Sequence, residues 1–408
     1  MTEKFCEIII AGTGTGSEDL LTLEVIEAIK NSECIIAHSN RINLLNKYLL
    51  NKKISEYKDL HTLEEIFSQI DEKFLLLVSG EPGLYSVMPF VKKFFPNAKI
   101  TVLPGISSIQ VLCARFSEEW HDAIIISGHG REFNPVKLLN TIERNRLVVF
   151  FCDKRNSPDK ICQKLSDLKN ILVMIGENLS LENEKLFSGN PNDFVTKNFD
   201  SNALMLIKNL EPYEFPEKNL RNNDFIRDDK IKITHESIRT IILDELGITN
   251  KSIFWDIGAG TGSISISIAL ENPEANIHAV DYKSQSVKII RENINKFHIH
   301  NVKIYEGRAK DVIKILPVPT HVFIGGNNGE LTEILKYIEG LGTGIKVLIE
   351  SVTLESMKTG IEILKNRLKW ENFYVKQVLI SESNNSSDEE FTLMSSRRPV
   401  MLLKANVI

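Results

Sequence analysis

The fold of the second half of the chain is decided by Ser252-Ile253-Phe254-Trp255-Asp256-Ile257-Gly258-Ala259-Gly260-Thr261-Gly262. An apolar run of strand character leads into a glycine-rich turn, and the small, apolar residues from Ser263 to Leu270 are compatible with a helix. A strand, a turn and a helix in this order bring backbone amides and a helix N-terminus close to a ligand. Glycine suits the turn because a side chain would block that approach. The stretch predicts a ligand-binding turn in an α/β domain.

The next predicted strand ends at Asp281, about twenty residues further on, where a carboxylate can accept hydrogen bonds from ribose hydroxyls. The glycine spacing is G-x-G-x-G, because Ser263 and Ile264 stand where a dinucleotide motif has its third glycine. This pattern resembles the class I S-adenosylmethionine (SAM) methyltransferases, with NAD, another nucleotide or plain α/β packing as the alternatives. The resemblance implies a Rossmann-like domain whose SAM contacts are Asp256, Gly258, Gly260, Gly262, Asp281, Gly307, Arg308 and Ala309.

The remainder of the second half continues the α/β rhythm. Apolar runs of strand character lie at Ile253 to Asp256, Asn276 to Val280, Val302 to Glu306, His321 to Ile324 and Val347 to Glu350. Two longer runs, Tyr374 to Ser383 and Pro399 to Lys404, follow and are joined by a polar segment. We expect this last pair to be antiparallel and to close a mainly parallel sheet.

The first half also alternates strands with helical patterns, which is typical of α/β proteins. Its predicted strands are Glu7 to Ala11, Cys34 to Ala37, Phe74 to Ser79, Ala123 to Ser127, Leu147 to Cys152, Ile171 to Ile175 and Ala203 to Ile207. The interval Glu211 to Lys232 has two prolines and few apolar residues, so we predict a linker there. The expected domains are therefore residues 1–210 and 233–408, with 211–232 between them.

The composition restricts the class of protein. The chain has 408 residues, of which 42% are hydrophobic and 25% charged, enough for two or three domains of roughly 100–200 residues each. Lys+Arg 49 against Asp+Glu 54 gives a net charge of −5, which favours neither nucleic acid nor a membrane as partner. Five scattered cysteines and no signal-like start predict reduced thiols, no metal site and a cytoplasmic location.

Three glycine loops in the first half each follow an apolar strand: Gly12-Thr13-Gly14-Thr15-Gly16, Ser79-Gly80-Glu81-Pro82-Gly83-Leu84-Tyr85 and Leu103-Pro104-Gly105-Ile106-Ser107-Ser108. Taken singly, loops of this kind are more often architectural turns than binding sites. Their order and spacing resemble the corrin and porphyrin methyltransferases, a two-lobed fold. Ser127-Gly128-His129-Gly130-Arg131 resembles a segment of the members that methylate C5 of a precorrin.

This second resemblance implies a SAM site and a macrocycle site in the first half. The implied SAM contacts are Gly12, Gly14, Gly16, Gly80, Glu81, Pro82, Tyr85, Ser107 and Ser108. The implied macrocycle contacts are Pro104, Gly105 and Arg131. The chain differs from the family pattern at Thr15, where proline is usual, and at Glu81, where aspartate is usual.

Further motifs in the second half resemble the C15-methylating, decarboxylating domains of cobalamin biosynthesis. They are Ile233-Thr234-His235-Glu236-Ser237-Ile238-Arg239, Phe323-Ile324-Gly325-Gly326 and Val352-Thr353-Leu354-Glu355, together with the loop quoted first. The resemblance implies methylation of a tetrapyrrole at C5 and C15 with loss of CO₂ from the C12 acetate. The usual family residues are replaced at Asn327, Asn328 and Glu350.

Decarboxylation requires a proton, for which His235, Glu236 and Glu350 are candidates. A solvated helix start or strand end is the more common reason for such residues at these positions. Arg131, Arg239 and Arg308 lie beside predicted ligand loops and can bind substrate carboxylates, and Gly325 and Gly326 are expected to flank the substrate. A different acceptor, RNA or protein, and a fusion with only one catalytic domain remain as alternatives. Isolated relatives of both halves self-associate, so we expect a homo-oligomer.

Overall fold

The structure is a computed structural model that describes residues 7–70, 73–128, 133–214, 220–366, 369–384 and 393–408. The chain forms two compact units. The first unit consists of Met1–Phe133 and Asn145–Pro212, and the second of Asn134–Arg144 and Tyr213–Ile408. The interval expected as a linker contributes Leu220 and Phe225 to the hydrophobic core of the second unit.

The first unit begins with a five-stranded parallel sheet in the order β3-β2-β4-β1-β5. Its elements are β1 (Glu7–Gly12), α1 (Leu23–Asn31), β2 (Cys34–His38), α2 (Ser39–Leu44), α3 (Asn46–Leu49), β3 (Lys53–Tyr57), α4 (Leu60–Gln69), β4 (Phe74–Val78), α5 (Met88–Phe94) and β5 (Lys99–Leu103). The central strand β4 is buried throughout, as its continuous apolar run predicts.

A second sheet of the same unit has the order β6-β7-β10-β8-β9, parallel between β6 and β7 and antiparallel elsewhere. The elements along this part of the chain are α6 (Ser108–Phe116), β6 (Ile124–Ser127), α7 (Pro135–Arg144), β7 (Leu147–Phe151), α8 (Pro158–Leu165), β8 (Ile171–Glu177), β9 (Lys185–Gly189) and β10 (Ala203–Asn209). The sequence did not predict β3 and β9. Both are edge strands with mostly exposed or half-buried residues, so neither carries a continuous apolar run.

The second unit contains a seven-stranded sheet in the order β13-β12-β11-β14-β15-β19-β16. Five neighbouring strands are parallel, and β19 is antiparallel to both β15 and β16. The elements are α9 (Glu236–Leu246), β11 (Ile253–Ile257), α10 (Ser263–Glu271), β12 (Asn276–Asp281), α11 (Ser284–Lys296), β13 (Val302–Glu306), α12 (Ala309–Val312), β14 (His321–Ile324), α13 (Leu331–Glu339), β15 (Lys346–Ser351), α14 (Leu354–Asn366), β16 (Trp370–Val378), β17 (Ser381–Asn384), β18 (Leu393–Ser396) and β19 (Val400–Val407). The predicted α/β class and the closing antiparallel pair are confirmed.

One predicted strand of this unit was wrong in its extent. The run Tyr374 to Ser383 is not a single strand, because β16 ends at Val378 and the chain leaves the sheet at Leu379 and Ile380. The residues that follow form β17, which pairs with β18 in a separate two-stranded sheet.

Packing on both faces of the large sheet fixes the direction of the side chains on β11. Phe254 belongs to one apolar cluster, whereas Trp255 and Ile257 belong to another, as the two-residue period of a strand requires. Asp256 therefore points to the same face as Phe254, toward α10. In the part of the chain that the structure describes, no helix is both long and apolar enough to cross a membrane.

Candidate active sites

A cavity of about 600 Å³ lies in the second unit at the carboxyl ends of the parallel strands. The structure brings many of the predicted site residues to its wall: His235, Asp256, Gly258, Gly260, Asp281, Gly307, Arg308, Ala309, Gly325, Gly326 and Glu350. The carboxyl edge of a parallel sheet is where α/β proteins bind their ligands.

Backbone packing between two loops forms one wall of this cavity. Gly258 follows β11 with φ of +75°, and a Cβ atom placed on it would lie 2.4 Å from the carbonyl oxygen of Gly326. That separation is too short for any side chain, so the loops after β11 and β14 can meet only at glycine. Gly262 caps α10 and is not among the described residues that line the cavity.

Asp281 ends β12 and connects two loops of the second unit. Its Oδ2 atom accepts a hydrogen bond from the backbone N–H of Gly260 at 2.9 Å, and its Oδ1 atom accepts one from Lys283 N at 3.0 Å. The side chain is therefore held at the cavity wall in a fixed orientation. Its contact with a ribose stays a prediction.

Asp256 lies deeper and is only 1% exposed. Its Oδ2 atom accepts hydrogen bonds from the backbone N–H and the hydroxyl of Ser265, at 3.1 and 2.6 Å. Burial raises the pKa of this carboxyl to about 6, although the Ser265 hydrogen bonds oppose the shift. Asp256 thus links the glycine turn to the first turn of α10.

Glu350, near the end of β15, is the second carboxyl of this cavity with a raised pKa. Burial raises its pKa to about 7, and the negative charge of Asp256 adds to the effect, whereas Thr234 and Lys232 act against it. The Thr234 hydroxyl lies 3.4 Å from Glu350 Oε2. Near neutral pH, Glu350 is therefore a group that can hold or release a proton.

The two other predicted proton carriers lie at the start of α9. His235 caps this helix through Nδ1, which accepts from Ser237 N at 3.4 Å, and its Nε2 atom is 3.3 Å from Glu382 Oε1. Its ring reaches the cavity wall. Glu236 instead accepts a hydrogen bond from the backbone N–H of Asn222 at 2.7 Å, and it is not among the described lining residues.

Arg239, which the sequence predicts to bind substrate, is only 2% exposed and is not among the described residues that line the cavity. Its guanidinium donates to the carbonyl oxygens of Thr234, at 3.0 Å, and Leu220, and it stacks over the ring of Phe225. With its donors occupied in this way, Arg239 fastens the segment before α9 to that helix.

The first unit contains its own cavity, of about 390 Å³, lined by segments that follow the strands of its first sheet and by strands of its second sheet. Six of the predicted SAM contacts line it: Gly14, Gly80, Glu81, Tyr85, Ser107 and Ser108. Arg131, the predicted macrocycle contact, lies outside the described residues.

The three glycine loops of the first unit pack directly against one another. A Cβ atom on Gly12 would lie 2.6 Å from Gly80 O and 2.7 Å from Gly105 N. Glu81 joins two of the loops, because its Oε2 atom accepts from Gly105 N at 2.9 Å and its Oε1 atom accepts from Gly83 N at 3.1 Å. The other predicted contacts of this unit within the described residues are not part of the lining; they are Gly12, Gly16, Pro82, Pro104 and Gly105.

Comparison with known proteins assigns each half of the chain. Residues 7–193 match the tetrapyrrole (corrin/porphyrin) methylases, and residues 224–368 match the precorrin methyltransferase domain. The probable cobalt-precorrin-6B C(15)-methyltransferase (decarboxylating) of Pyrobaculum calidifontis is 30% identical over 198 residues, which cover 48% of this chain and 97% of that protein. The chain belongs to the precorrin methyltransferase family.

Two further relatives extend the match to the first half. The probable cobalt-precorrin-7 C(5)-methyltransferase of Methanocaldococcus jannaschii is 31% identical over 186 residues, covering 44% of this chain and 87% of that protein. The precorrin-6Y C(5,15)-methyltransferase [decarboxylating] of a Sinorhizobium species is 24% identical over 304 residues, covering 71% of each chain. This precorrin methyltransferase therefore resembles a C(15) enzyme in one half and a C(5) enzyme in the other.

Sequence reasoning missed most of the basic side chains around the cavity of the second unit. Besides the predicted Arg308, the lining includes Lys230, Lys232, Lys283, Arg397 and Arg398. Arg308 and Arg397 pair with Glu330 and Glu382, both at 3.0 Å. In the described ranges, no ion pair involves Lys230, Lys232 or Arg398. The adjacent arginines at 397 and 398 were the available signal in the sequence.

Proposed function

We propose that this precorrin methyltransferase uses SAM to methylate a precorrin macrocycle at C5 and C15 and removes the carboxyl group of the C12 acetate as CO₂, in cobalamin biosynthesis. The first unit is assigned the C5 methylation, and the second the C15 methylation and the decarboxylation. The observation that carries the proposal is that each half of the chain has a cavity of its own and matches a different methyltransferase. We further propose a cytoplasmic homo-oligomer.

The second cavity has features that fit SAM. The backbone of the glycine loop lines the cavity at Gly258 and Gly260, and the carboxylate of Asp281 accepts a hydrogen bond from this loop. We assign Gly258, Gly260 and Asp281 to the nucleoside and the loop of Gly307, Arg308 and Ala309 to the adenine. SAM supplies an electrophilic methyl group, so the residues of this unit must chiefly orient the acceptor carbon and exclude water.

The basic side chains of the second cavity support a substrate that carries several carboxylates. Arginine binds a carboxylate through two parallel hydrogen bonds, and lysine supplies a compact positive charge. Lys230, Lys232 and Arg398 have no ion-pair partner among the described residues, so they are the groups that we assign to the acetate and propionate side chains of the macrocycle.

Glu350 is the proton carrier that the electrostatics favour. Loss of CO₂ leaves an electron pair that the conjugated macrocycle can delocalise until a proton arrives. A carboxyl group with a pKa of about 7 is partly protonated at neutral pH and can deliver that proton. We assign His235, whose Nε2 atom faces Glu382, to positioning the substrate or to exchanging the proton.

In the first unit, we assign SAM to the cavity beside the packed glycine loops. Gly14, Gly80, Ser107 and Ser108 supply backbone and hydroxyl groups, and Tyr85 adds an aromatic face. Glu81 acts indirectly, since both of its oxygens already hold backbone N–H groups of neighbouring loops. The bridging carbon of a reduced tetrapyrrole is itself nucleophilic, so alignment suffices for this methylation.

The experiment is to incubate the full chain with isotope-labelled SAM and a late precorrin, with and without cobalt, and to follow the mass of the tetrapyrrole. The proposal predicts a gain of two labelled methyl groups and the loss of one CO₂. An unchanged mass with both forms of the substrate would overturn it. One labelled methyl without loss of CO₂ would overturn the assignment to the second unit.

A further inference from the structure

The first unit's cavity contains a guanidinium that has no counter-ion among the described residues. Arg41, on α2, lines the cavity, and its Nη1 atom is buried without a hydrogen-bond partner in the part of the chain that the structure describes. Glu81 is the one acidic residue among the described lining residues, and both of its carboxylate oxygens accept hydrogen bonds from backbone N–H groups. The Glu81 oxygens are directed at these N–H groups, and the described residues show no ion pair between Glu81 and Arg41.

Tyr57 interacts electrostatically with Arg41, but it does not neutralise the positive charge of the guanidinium. Burial raises the pKa of the Tyr57 phenol to about 12, so this side chain is uncharged at neutral pH. Burial also lowers the pKa of Arg41, although a guanidinium remains charged under physiological conditions. A buried charge without a partner is costly. An anionic ligand in the cavity would give the guanidinium of Arg41 the partner that it lacks among the described residues.

A second unpartnered polar atom lies at the same cavity. The hydroxyl oxygen of Thr15, in the loop after β1, is buried and has no hydrogen-bond partner among the described residues. Thr15 and Arg41 follow β1 and β2, which both end at the carboxyl edge of the parallel sheet. A hydroxyl and a guanidinium are both donors that suit a carboxylate.

We infer that Arg41 binds a carboxylate of the first unit's ligand, with the Thr15 hydroxyl as a second donor. The inference rests on the proposed function for the class of ligand. Two carboxylates meet this description: the amino-acid carboxylate of SAM, and an acetate or propionate side chain of the macrocycle. Either one supplies a negative charge that can pair with Arg41, so the site favours a ligand that carries such a group.

The test compares Arg41→Gln, Arg41→Lys and Thr15→Val in the full chain, with Asp281→Ala added throughout to weaken the second unit's site. Calorimetry measures the affinity for S-adenosylhomocysteine and for its decarboxylated analogue, which keeps the amine but lacks the carboxylate. The KM and kcat of C5 methylation are measured with the tetrapyrrole. Thermal unfolding reports any structural role of the residues.

If the carboxylate is that of SAM, Arg41→Gln weakens S-adenosylhomocysteine binding by about 10- to 100-fold and leaves the decarboxylated analogue unchanged. If it belongs to the macrocycle, both nucleosides bind as before and the KM for the tetrapyrrole rises by a similar factor with little change in kcat. In either case, Arg41→Lys recovers part of the loss, and Thr15→Val produces a smaller loss of the same kind.

Unchanged affinities and KM in Arg41→Gln would overturn the inference. Equal losses for both nucleosides together with a lower unfolding temperature would also overturn it, since they indicate a structural role. If only Thr15→Val has no effect, the second donor is wrong. Failure of the parent chain to bind S-adenosylhomocysteine at this unit would instead count against the proposed function.

Discussion

The Asp281 carboxylate holds the backbone N–H of Gly260 at 2.9 Å, so the end of β12 positions the glycine loop that follows β11. The same carboxylate accepts a hydrogen bond from Lys283 N at 3.0 Å. One side chain therefore sets the relative position of two loops that border the cavity.

Replacing Asp281 should weaken SAM binding in the second unit alone. In Asp281→Ala, the N–H of Gly260 loses its acceptor, and the nucleoside of the ligand loses the carboxylate that we assign as its hydrogen-bond partner. We therefore expect the affinity for S-adenosylhomocysteine at this site to fall by about tenfold or more. Calorimetry should show two binding sites in the wild type, and in the variant one unchanged site and one weakened site. Loss of both sites would contradict the assignment of Asp281 to the second unit's site.

Gly258 and Gly326 provide a matched pair of substitutions across one backbone contact. A Cβ on Gly258 would lie 2.4 Å from Gly326 O, whereas a Cβ on Gly326 would come no closer than 3.7 Å to Gly258. Gly258→Ala should therefore lower the free energy of unfolding by about 2 kcal/mol or more, and Gly326→Ala by less than about 0.5 kcal/mol. Denaturant unfolding of the second unit measures both values. A loss in Gly258→Ala as small as that in Gly326→Ala would show that the two loops can move apart without cost.

Glu350 should make the second unit less stable as the pH rises. Its pKa is about 7 in the folded protein against an ordinary value of 4.5, so the unfolded chain loses this proton first and folding weakens between these two values. Glu350→Gln removes the effect. The variant should match the wild type near about pH 5 and be more stable by up to about 3 kcal/mol near about pH 8. Unfolding measured at both pH values checks this, and a pH-independent difference would contradict it.

Substitutions of Arg239 and Arg398 should have different effects, because we assign a structural role to Arg239 and a substrate-binding role to Arg398. Arg239→Met leaves the carbonyl oxygens of Leu220 and Thr234 without their donor, so we expect a loss of about 2–4 kcal/mol in the free energy of unfolding. Arg398→Ala should change stability by less than about 0.5 kcal/mol but raise the KM for the tetrapyrrole. Calorimetry and initial rates distinguish the two. A raised KM without loss of stability in Arg239→Met would restore that residue as a substrate ligand.

Local patterns in the sequence were sufficient for the central elements of the site. The apolar run before Gly258 and the position of Asp281 are properties of single strands and the turns that follow them, and the structure brings both to one cavity. The antiparallel pair β19 and β16 was also predictable, because both strands are long and flank a polar segment.

Long-range contacts account for what the sequence could not predict. Arg239 follows a ligand-like motif, yet its partners Leu220 and Thr234 become visible only when the segment before α9 packs back on that helix. Arg41 belongs to no motif, and its unpaired charge follows from the cavity around it. Glu350 owes its raised pKa to burial and to Asp256, which lies on a different strand.

The most direct test of the central claim, that one chain carries two independent methyl-transfer sites, is the product formed by Asp281→Ala beside that of the wild type. With isotope-labelled SAM and the late precorrin, mass and nuclear magnetic resonance spectra should show two new methyl groups and the loss of CO₂ for the wild type. At a SAM concentration that fills the first unit's site but not the weakened site of the second unit, the variant should give one new methyl group at C5 with the C12 acetate intact. A variant product lacking the C5 methyl, or a wild-type product that keeps its carboxyl group, would contradict the account.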